Sequence, residues 1–186
     1  MKKISLFLSA LFISAISMAA TVTMDFTSAA GLEAIGIPYP TKAENDGAYS
    51  SNLVIGQAYT QEGASLTVTK KGSTDTRIWL AAKGTMDLRH YKGGVLTFSA
   101  PAGSVITKIV FAGGSITGLE NLNNKTWEGT APSVDIPAAA GASTIKINTI
   151  TITYEASGTD IVATPIIRGE NDFRKTSEIS IEAAAG

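Results

Sequence analysis

The sequence predicts an all-β fold, an antiparallel β-sandwich of the jelly-roll kind with one short helix near the N-terminus. Short segments rich in Val, Ile and Thr recur along the chain, and Gly, Pro and Asn separate them, which is typical of the strands and turns of a sandwich. No series of long helical patterns alternates with these segments, and this argues against a doubly wound α/β fold. A closed β-barrel is the alternative.

The N-terminus has the pattern of a secretory signal peptide. Two lysines precede an apolar run from Ile4 to Ile16, and small residues lead to Ala19, after which cleavage is expected. The run is shorter than the roughly 20 residues that a membrane span needs, and an uncleaved anchor is the alternative. We therefore expect residues 1–19 to direct the protein to the periplasm, the cell surface or the medium.

Charge and composition narrow the function classes. Loss of the two N-terminal lysines leaves thirteen basic and sixteen acidic residues, a net charge of about −3, so no basic surface for nucleic acid is expected. The chain has no cysteine, which excludes disulfides, thiolate metal sites, a cysteine nucleophile and lipidation at cysteine. We expect no cofactor, and the expected partner is a glycan or a cell-surface protein.

The first half of the chain predicts a strand, a helix, a loop and four further strands. Residues 21–26 alternate as a strand, and the helical segment that follows has Thr27 as its expected cap and Gly36 as its expected end. Residues 38–52 are polar and rich in turn formers, so we expect a loop. The later strands are predicted at residues 53–55, 64–70, 76–80 and 86–91.

The second half predicts five strands, the last of which changes its buried face. Before Asn148, Ile145 and Ile147 make one face apolar, whereas Ile150 and Ile152 make the other face apolar after it. This change predicts a bulge or a change of sheet near Asn148. The five strands are predicted at residues 95–100, 105–112, 126–129, 133–137 and 143–155.

Composition divides the chain after Tyr154. Residues 20–155 form the predicted β-sandwich domain, and residues 156–165 are typical of a linker. Residues 166–186 contain one more strand pattern, and a single strand does not fold alone. We interpret them as the truncated start of a second β module or as a tail that docks onto the sandwich.

Two stretches resemble known families of exported proteins. The first rests on five motifs, Met24–Phe26, Arg77–Trp79, Asp87–Tyr91, Ile106–Phe111 and Ile147–Tyr154. Together they resemble a family of secreted sandwich modules from gut and oral bacteria of the Bacteroides–Prevotella group. The second stretch, from Ala163 to Ile181, resembles the opening of the chitobiase/β-hexosaminidase C-terminal type of module, an immunoglobulin-like sandwich. Both resemblances imply architecture, and neither brings a catalytic residue to transfer.

The candidate site lies on a hairpin of two predicted strands, residues 76–80 and 86–91, joined by residues 81–85. When Ile78 and Leu88 face the core, alternation places five side chains on the opposite face. They are Arg77, Trp79, Asp87, Arg89 and Tyr91. Sugars present C–H faces that stack on aromatic rings and hydroxyls that suit Arg and Asp, so we predict a ligand-binding face for a glycan. The alternative is that these side chains only cover the sheet or lie under the loop at residues 38–52.

The expected register sets the contacts within this face. If Leu80 lies opposite Leu88, then Trp79 faces Arg89 directly and Arg77 faces Tyr91. Both pairs would allow cation–π contact, worth about 0.5–1 kcal/mol at an exposed position.

His90, the one histidine of the chain, falls on the other side of its strand, with Met86 and Leu88. We expect it at the edge of the core rather than as a general base, because the sequence shows no nucleophile or orienting partner for it. A metal role is not expected, because no second histidine is present.

Other candidates are weaker. Tyr39, Tyr59 and Trp127 are secondary ligand-binding candidates, and Trp127 is more typical of a core or hairpin aromatic. Asn45-Asp46-Gly47 could contribute oxygen ligands to calcium, but it does not complete an EF-hand loop and fits a plain turn better.

Three functional hypotheses follow from these patterns. The first is an exported, non-catalytic binding or adhesion module that recognises carbohydrate. The second is a structural spacer or accessory domain of a larger surface protein. The third is a glycoside hydrolase or an esterase, which requires two carboxylates in a cleft or a Ser–His90 pair.

Overall fold

The computed structural model describes residues 19–157. Apart from Ala19, the predicted signal peptide lies outside the described residues, as do the second module and the linker beyond Ser157. The described chain contains thirteen strands, one α-helix and two 3-10 turns. In chain order they are β1 (Ala20–Asp25), α1 (Ala29–Ile35), β2 (Lys42–Ala43), a 3-10 turn (Asn45–Gly47), β3 (Tyr49–Asn52), β4 (Ala58–Gln61), β5 (Ala64–Lys70), β6 (Arg77–Leu80), β7 (Met86–His90), β8 (Val95–Ser99), β9 (Ser104–Ala112), a second 3-10 turn (Ile116–Gly118), β10 (Thr126–Ala131), β11 (Ser133–Pro137), β12 (Ile145–Ile147) and β13 (Thr149–Ala156).

These strands form three antiparallel sheets, which confirms the predicted all-β sandwich with one short helix. Two sheets have four strands, in the orders β1-β13-β9-β10 and β11-β8-β5-β4. The third has five strands in the order β12-β7-β6-β3-β2. Strands β5 and β11 have the predicted bounds, and β6 to β10 differ from them by one or two residues.

One apolar core takes side chains from all three sheets. Phe98 of β8 and Phe111 of β9 meet edge to face with their ring centroids 5.7 Å apart, which is a favoured aromatic geometry. Ile78 of the five-stranded sheet belongs to the same cluster. Because side chains alternate along each strand, a strand that buries one face leaves the other for solvent or for a ligand.

The helix cap differs from the prediction by one residue. Ser28 Oγ accepts a hydrogen bond from the Gly31 N–H at 3.0 Å, so Ser28 and not Thr27 is the cap. The Thr27 hydroxyl instead donates to Asp25 Oδ1 at 2.7 Å. Gly36 ends the helix in the left-handed conformation, as predicted, with φ 79°.

The predicted loop at residues 38–52 is wrong in two segments. Residues 42–43 and 49–52 form β2 and β3, and β3 pairs with β6 through Ser50 opposite Trp79. The predicted strand at residues 53–55 is also wrong, since Ile55 makes only an isolated bridge to Val68. Long-range pairing decides the polar segments, because strands at or next to the edge of a sheet can be as polar as a loop.

The segment around Asn148 changes sheet, as the sequence predicts. Strand β12 pairs with β7 in the five-stranded sheet, whereas β13 pairs with β1 and β9 in a four-stranded sheet. At the junction, the Asn148 N–H donates to the Ala112 carbonyl at 2.7 Å and the Asn148 carbonyl accepts from the Phe26 N–H at 2.9 Å. The crossing places Lys146 opposite Arg89, on the outer face of the five-stranded sheet.

Gly113 makes this crossing possible, and its replacement should destabilise the fold. Its φ is 149°, and a Cβ at residue 113 would stand 2.3 Å from the Lys146 carbonyl oxygen. We expect Gly113→Ala to lower the free energy of unfolding by about 1–3 kcal/mol because of backbone strain. Gly114→Ala is the matched control, since nothing lies within 4 Å of a Cβ there. Urea unfolding of both variants measures the difference, and equal stabilities would contradict the close approach.

Candidate functional site

The hairpin of β6 and β7 has the predicted faces but a different register. The turn closes with the Ala81 N–H donating to the Thr85 carbonyl at 2.9 Å, so that Leu80 lies opposite Met86. The expected pairing of Leu80 with Leu88 is therefore wrong by two residues. Because a shift of two residues keeps every side chain on its own face, the placement of the candidate residues is unaffected.

All five candidate residues lie on the outer face and are partly buried there. Trp79 lies directly opposite Asp87, and Arg77 lies directly opposite Arg89. Tyr91 follows the end of β7. The sequence therefore predicted the membership of this group, which we call the outer-face cluster, while the direct pairs Trp79–Arg89 and Arg77–Tyr91 are wrong.

The expected cation–π contacts form diagonally instead. The Arg89 guanidinium lies 4.3 Å from the centre of the Trp79 ring. The Arg77 guanidinium lies between two rings, 5.6 Å from the centre of Trp79 and 5.5 Å from that of Tyr91. Diagonal neighbours on a sheet are within reach of long and aromatic side chains, so the network survives the change of register.

Two carboxylates complete the outer-face network. Asp87 Oδ1 accepts a hydrogen bond from Arg89 Nε at 3.0 Å. Glu44 accepts from the Ser50 hydroxyl at 2.7 Å and lies 3.2 Å from Lys42 Nζ and 3.5 Å from an Arg77 Nη. The Ser50 hydrogen bond and then Lys42, with a smaller contribution from Arg77, lower the pKa of Glu44. Both carboxylates therefore hold guanidinium groups in place.

Sequence reasoning missed Glu44, Ser50 and Lys146 as members of this face. Glu44 and Ser50 fall in the segment that was predicted as a loop, so their contacts with Arg77 and β6 could not be foreseen. Lys146 lies directly opposite Arg89, and the alternation of Ile145 and Ile147 already placed it on the outer face of β12.

His90 points inward, as predicted, and is fully buried. Its Nδ1 lies 2.8 Å from the hydroxyl of Thr76, which is also buried. Its Nε2 has no hydrogen-bond partner among the described residues. A Cβ at Gly94 would stand 2.6 Å from His90 Cε1, so the chain closes tightly over the ring.

This environment gives His90 no route to a substrate. Burial lowers the pKa of His90 from 6.5 to about 4. The backbone of Gly94 raises this pKa, but by a smaller amount. A hydroxyl and an imidazole within hydrogen-bonding distance are the elements of a nucleophile–base pair, but both side chains are sealed from solvent. The geometry supports a structural role, and the Ser–His90 pair of the esterase hypothesis does not form among the described residues.

The secondary aromatic candidates separate into surface and core. Tyr59 is buried, and its hydroxyl accepts a hydrogen bond from the Val54 N–H at 2.9 Å, so its candidacy as a ligand contact is wrong. Tyr39 is 48% exposed. Trp127 packs against the core from β10.

The Asn45–Gly47 segment is a 3-10 turn in which Asp46 has φ 60°.

One concave region is lined by residues that do not belong to the outer-face cluster. It is an open cleft of about 420 Å³ beside the start of β10, lined by Asn121, Asn123, Asn124, Thr126 and Glu128. Glu128 forms a salt bridge with Lys108 at 2.8 Å. The cleft has amide and hydroxyl groups but no aromatic ring among its lining residues, so it lacks a stacking surface.

Across residues 19–157, no three His, Asp or Glu side chains gather into a group that could hold a metal ion. The same part of the chain has no helix of the length and hydropathy needed to cross a membrane.

Fold and site thus define an antiparallel β-sandwich with a cationic and aromatic outer face. The chain matches no family model, no curated protein and no solved structure.

Burial of His90 should make the protein less stable in acid. The folded-state pKa is about 4 and the unfolded-state pKa is about 6.5. The favourable contribution of the neutral ring is therefore present above pH 6.5 and is lost as the pH falls towards 4. The two pKa values correspond to a loss of about 3 kcal/mol.

Urea unfolding between these pH values measures the effect, with His90→Gln as the variant that cannot titrate. We expect the wild type to lose more stability than the variant across the window. Because the chain has one histidine, its imidazole signals can also be followed by NMR. An imidazole that titrates near pH 6.5 in the folded protein would contradict the buried placement.

Proposed function

We propose that the protein is an exported, non-catalytic β-sandwich module that binds carbohydrate on the outer face of its five-stranded sheet. The N-terminal signal pattern supports export. The observation that carries the binding proposal is the outer-face cluster. In it, the guanidinium groups of Arg77 and Arg89 lie over the ring of Trp79 on the outer face of β6 and β7.

The geometry of the cluster suits recognition better than simple coverage of the sheet. The guanidinium of Arg77 is held between Trp79 and Tyr91, and that of Arg89 is fixed by Trp79 and Asp87. Side chains that are already ordered lose little conformational freedom when a ligand binds. The face therefore offers rigid donors beside aromatic edges.

The cluster also contains a charge repulsion that a ligand can reduce. Arg77 and Arg89 are directly opposite each other on neighbouring strands, and like charges in that position destabilise a sheet. Each cation–π contact stabilises the folded protein by about 0.5–1 kcal/mol at an exposed site. A ligand that brings hydrogen-bond acceptors to the two guanidinium groups would relieve the repulsion, and carbohydrates supply such acceptors on successive rings.

Trp79→Ala is the direct test of this proposal. We expect the variant to lose most of the affinity for any glycan that the wild type retains on an array or in affinity gel electrophoresis. The loss follows because the substitution removes the ring that both guanidinium groups contact. Tyr49→Ala is the control, since Tyr49 is an exposed aromatic residue that pairs with Leu80 and does not belong to the outer-face cluster.

Two outcomes would reject the binding proposal. One is the absence of binding to every glycan class by folded wild-type protein, which would favour the spacer hypothesis. The other is binding that Trp79→Ala leaves intact while urea unfolding shows the variant to be folded.

A further inference from the structure

The register of the five-stranded sheet places three basic side chains in one row across its outer face. Arg77 of β6 lies opposite Arg89 of β7, and Arg89 lies opposite Lys146 of β12. Adjacent strands are about 4.8 Å apart, so the row crosses three strands with one positive charge on each. The aromatic ring of Trp79 flanks this row.

The carboxylates of the face neutralise this row only in part. Asp87 is bound by Arg89 through Nε, and Glu44 is shared between Lys42 and Arg77. Lys146 is exposed and forms no salt bridge within residues 19–157. A surplus of positive charge therefore collects on one face of a chain whose formal net charge is −1.

We propose that the ligand of this face is an anionic glycan with a carboxylate on successive sugars, bound along the row Arg77–Arg89–Lys146. This inference rests on the proposed carbohydrate-binding function and specifies its ligand class. Guanidinium groups bind carboxylates through paired N–H donors. Since Arg89 uses Nε for Asp87, its Nη groups are the donors for the ligand, and Trp79 supplies the apolar contact for a sugar ring.

Regular spacing of charge is what distinguishes such a ligand from a neutral glycan. One carboxylate could satisfy one guanidinium, but only a chain with repeated carboxylates could neutralise several cations in a row. Attraction between exposed charges is screened by salt. Binding of the anionic glycan should therefore weaken as salt is added, whereas binding of a neutral glycan should not.

The experiment compares an oligogalacturonide hexasaccharide with maltohexaose by titration calorimetry on the full-length protein. In low salt we expect the charged ligand to bind at least tenfold more tightly, and about 0.2 M NaCl to reduce that advantage. Lys146→Glu should weaken binding of the oligogalacturonide by about tenfold, because it reverses a charge at the rim of the site, and should leave maltohexaose unchanged. Lys125→Glu is the control for an exposed lysine outside the sheet face.

The outcomes separate this inference from the function on which it rests. Equal binding of both ligands, abolished by Trp79→Ala, would overturn the anionic ligand and keep carbohydrate binding. Failure of folded protein to bind any glycan would overturn both. Tighter binding of a single-stranded DNA oligonucleotide than of the oligogalacturonide would also overturn the inference, since the row would then be a phosphate-binding surface. Tighter binding of a heparin-derived hexasaccharide than of the oligogalacturonide would show that the row prefers sulfate groups. That result would overturn the inference that the ligand carries carboxylates.

Discussion

The two-residue alternation of β6 and β7 is the constraint on which the site depends. Ile78 and Leu88 are fully buried in the shared core, and their burial fixes which face of each strand is turned outward. A shift of one residue would bury the guanidinium groups and expose the apolar side chains. The burial of these two residues, together with that of His90, therefore holds Arg77, Trp79 and Arg89 at the surface.

The rest of the fold brings distant parts of the chain to that surface. Strand β3 adds Ser50 beside Trp79, and the turn before it brings Glu44 to Arg77. The change of sheet at Asn148 lets one segment serve two sheets, so that β12 contributes Lys146 next to Arg89. The core and the outer face are thus built by the same pairings, and a substitution at the crossing affects both.

The local sequence pattern predicted which face of each strand is buried. Long-range pairing decided the register of β6 and β7 and the formation of β2 and β3. Period-two alternation is a property of neighbouring residues, so the outward placement of Trp79 and the inward placement of His90 follow from the sequence. The register of β6 and β7 depends on how the turn at residues 81–85 closes, and the contacts of Trp79 with Arg89 became diagonal for that reason. Glu44 and Ser50 could not be predicted, because the polar composition of β2 and β3 is that of a loop until their pairing with β6 is known.

An NMR titration with a hexameric oligogalacturonide tests the placement of the ligand most directly. The chain has two tryptophans, so the two indole N–H signals distinguish the outer face, at Trp79, from the four-stranded sheet that contains β10, at Trp127. We expect the Trp79 indole and the Arg89 side-chain signals to shift with added ligand while the Trp127 indole stays in place. Shifts confined to Trp127 and the amides of the asparagine-lined cleft would contradict the assignment of the site to the five-stranded sheet.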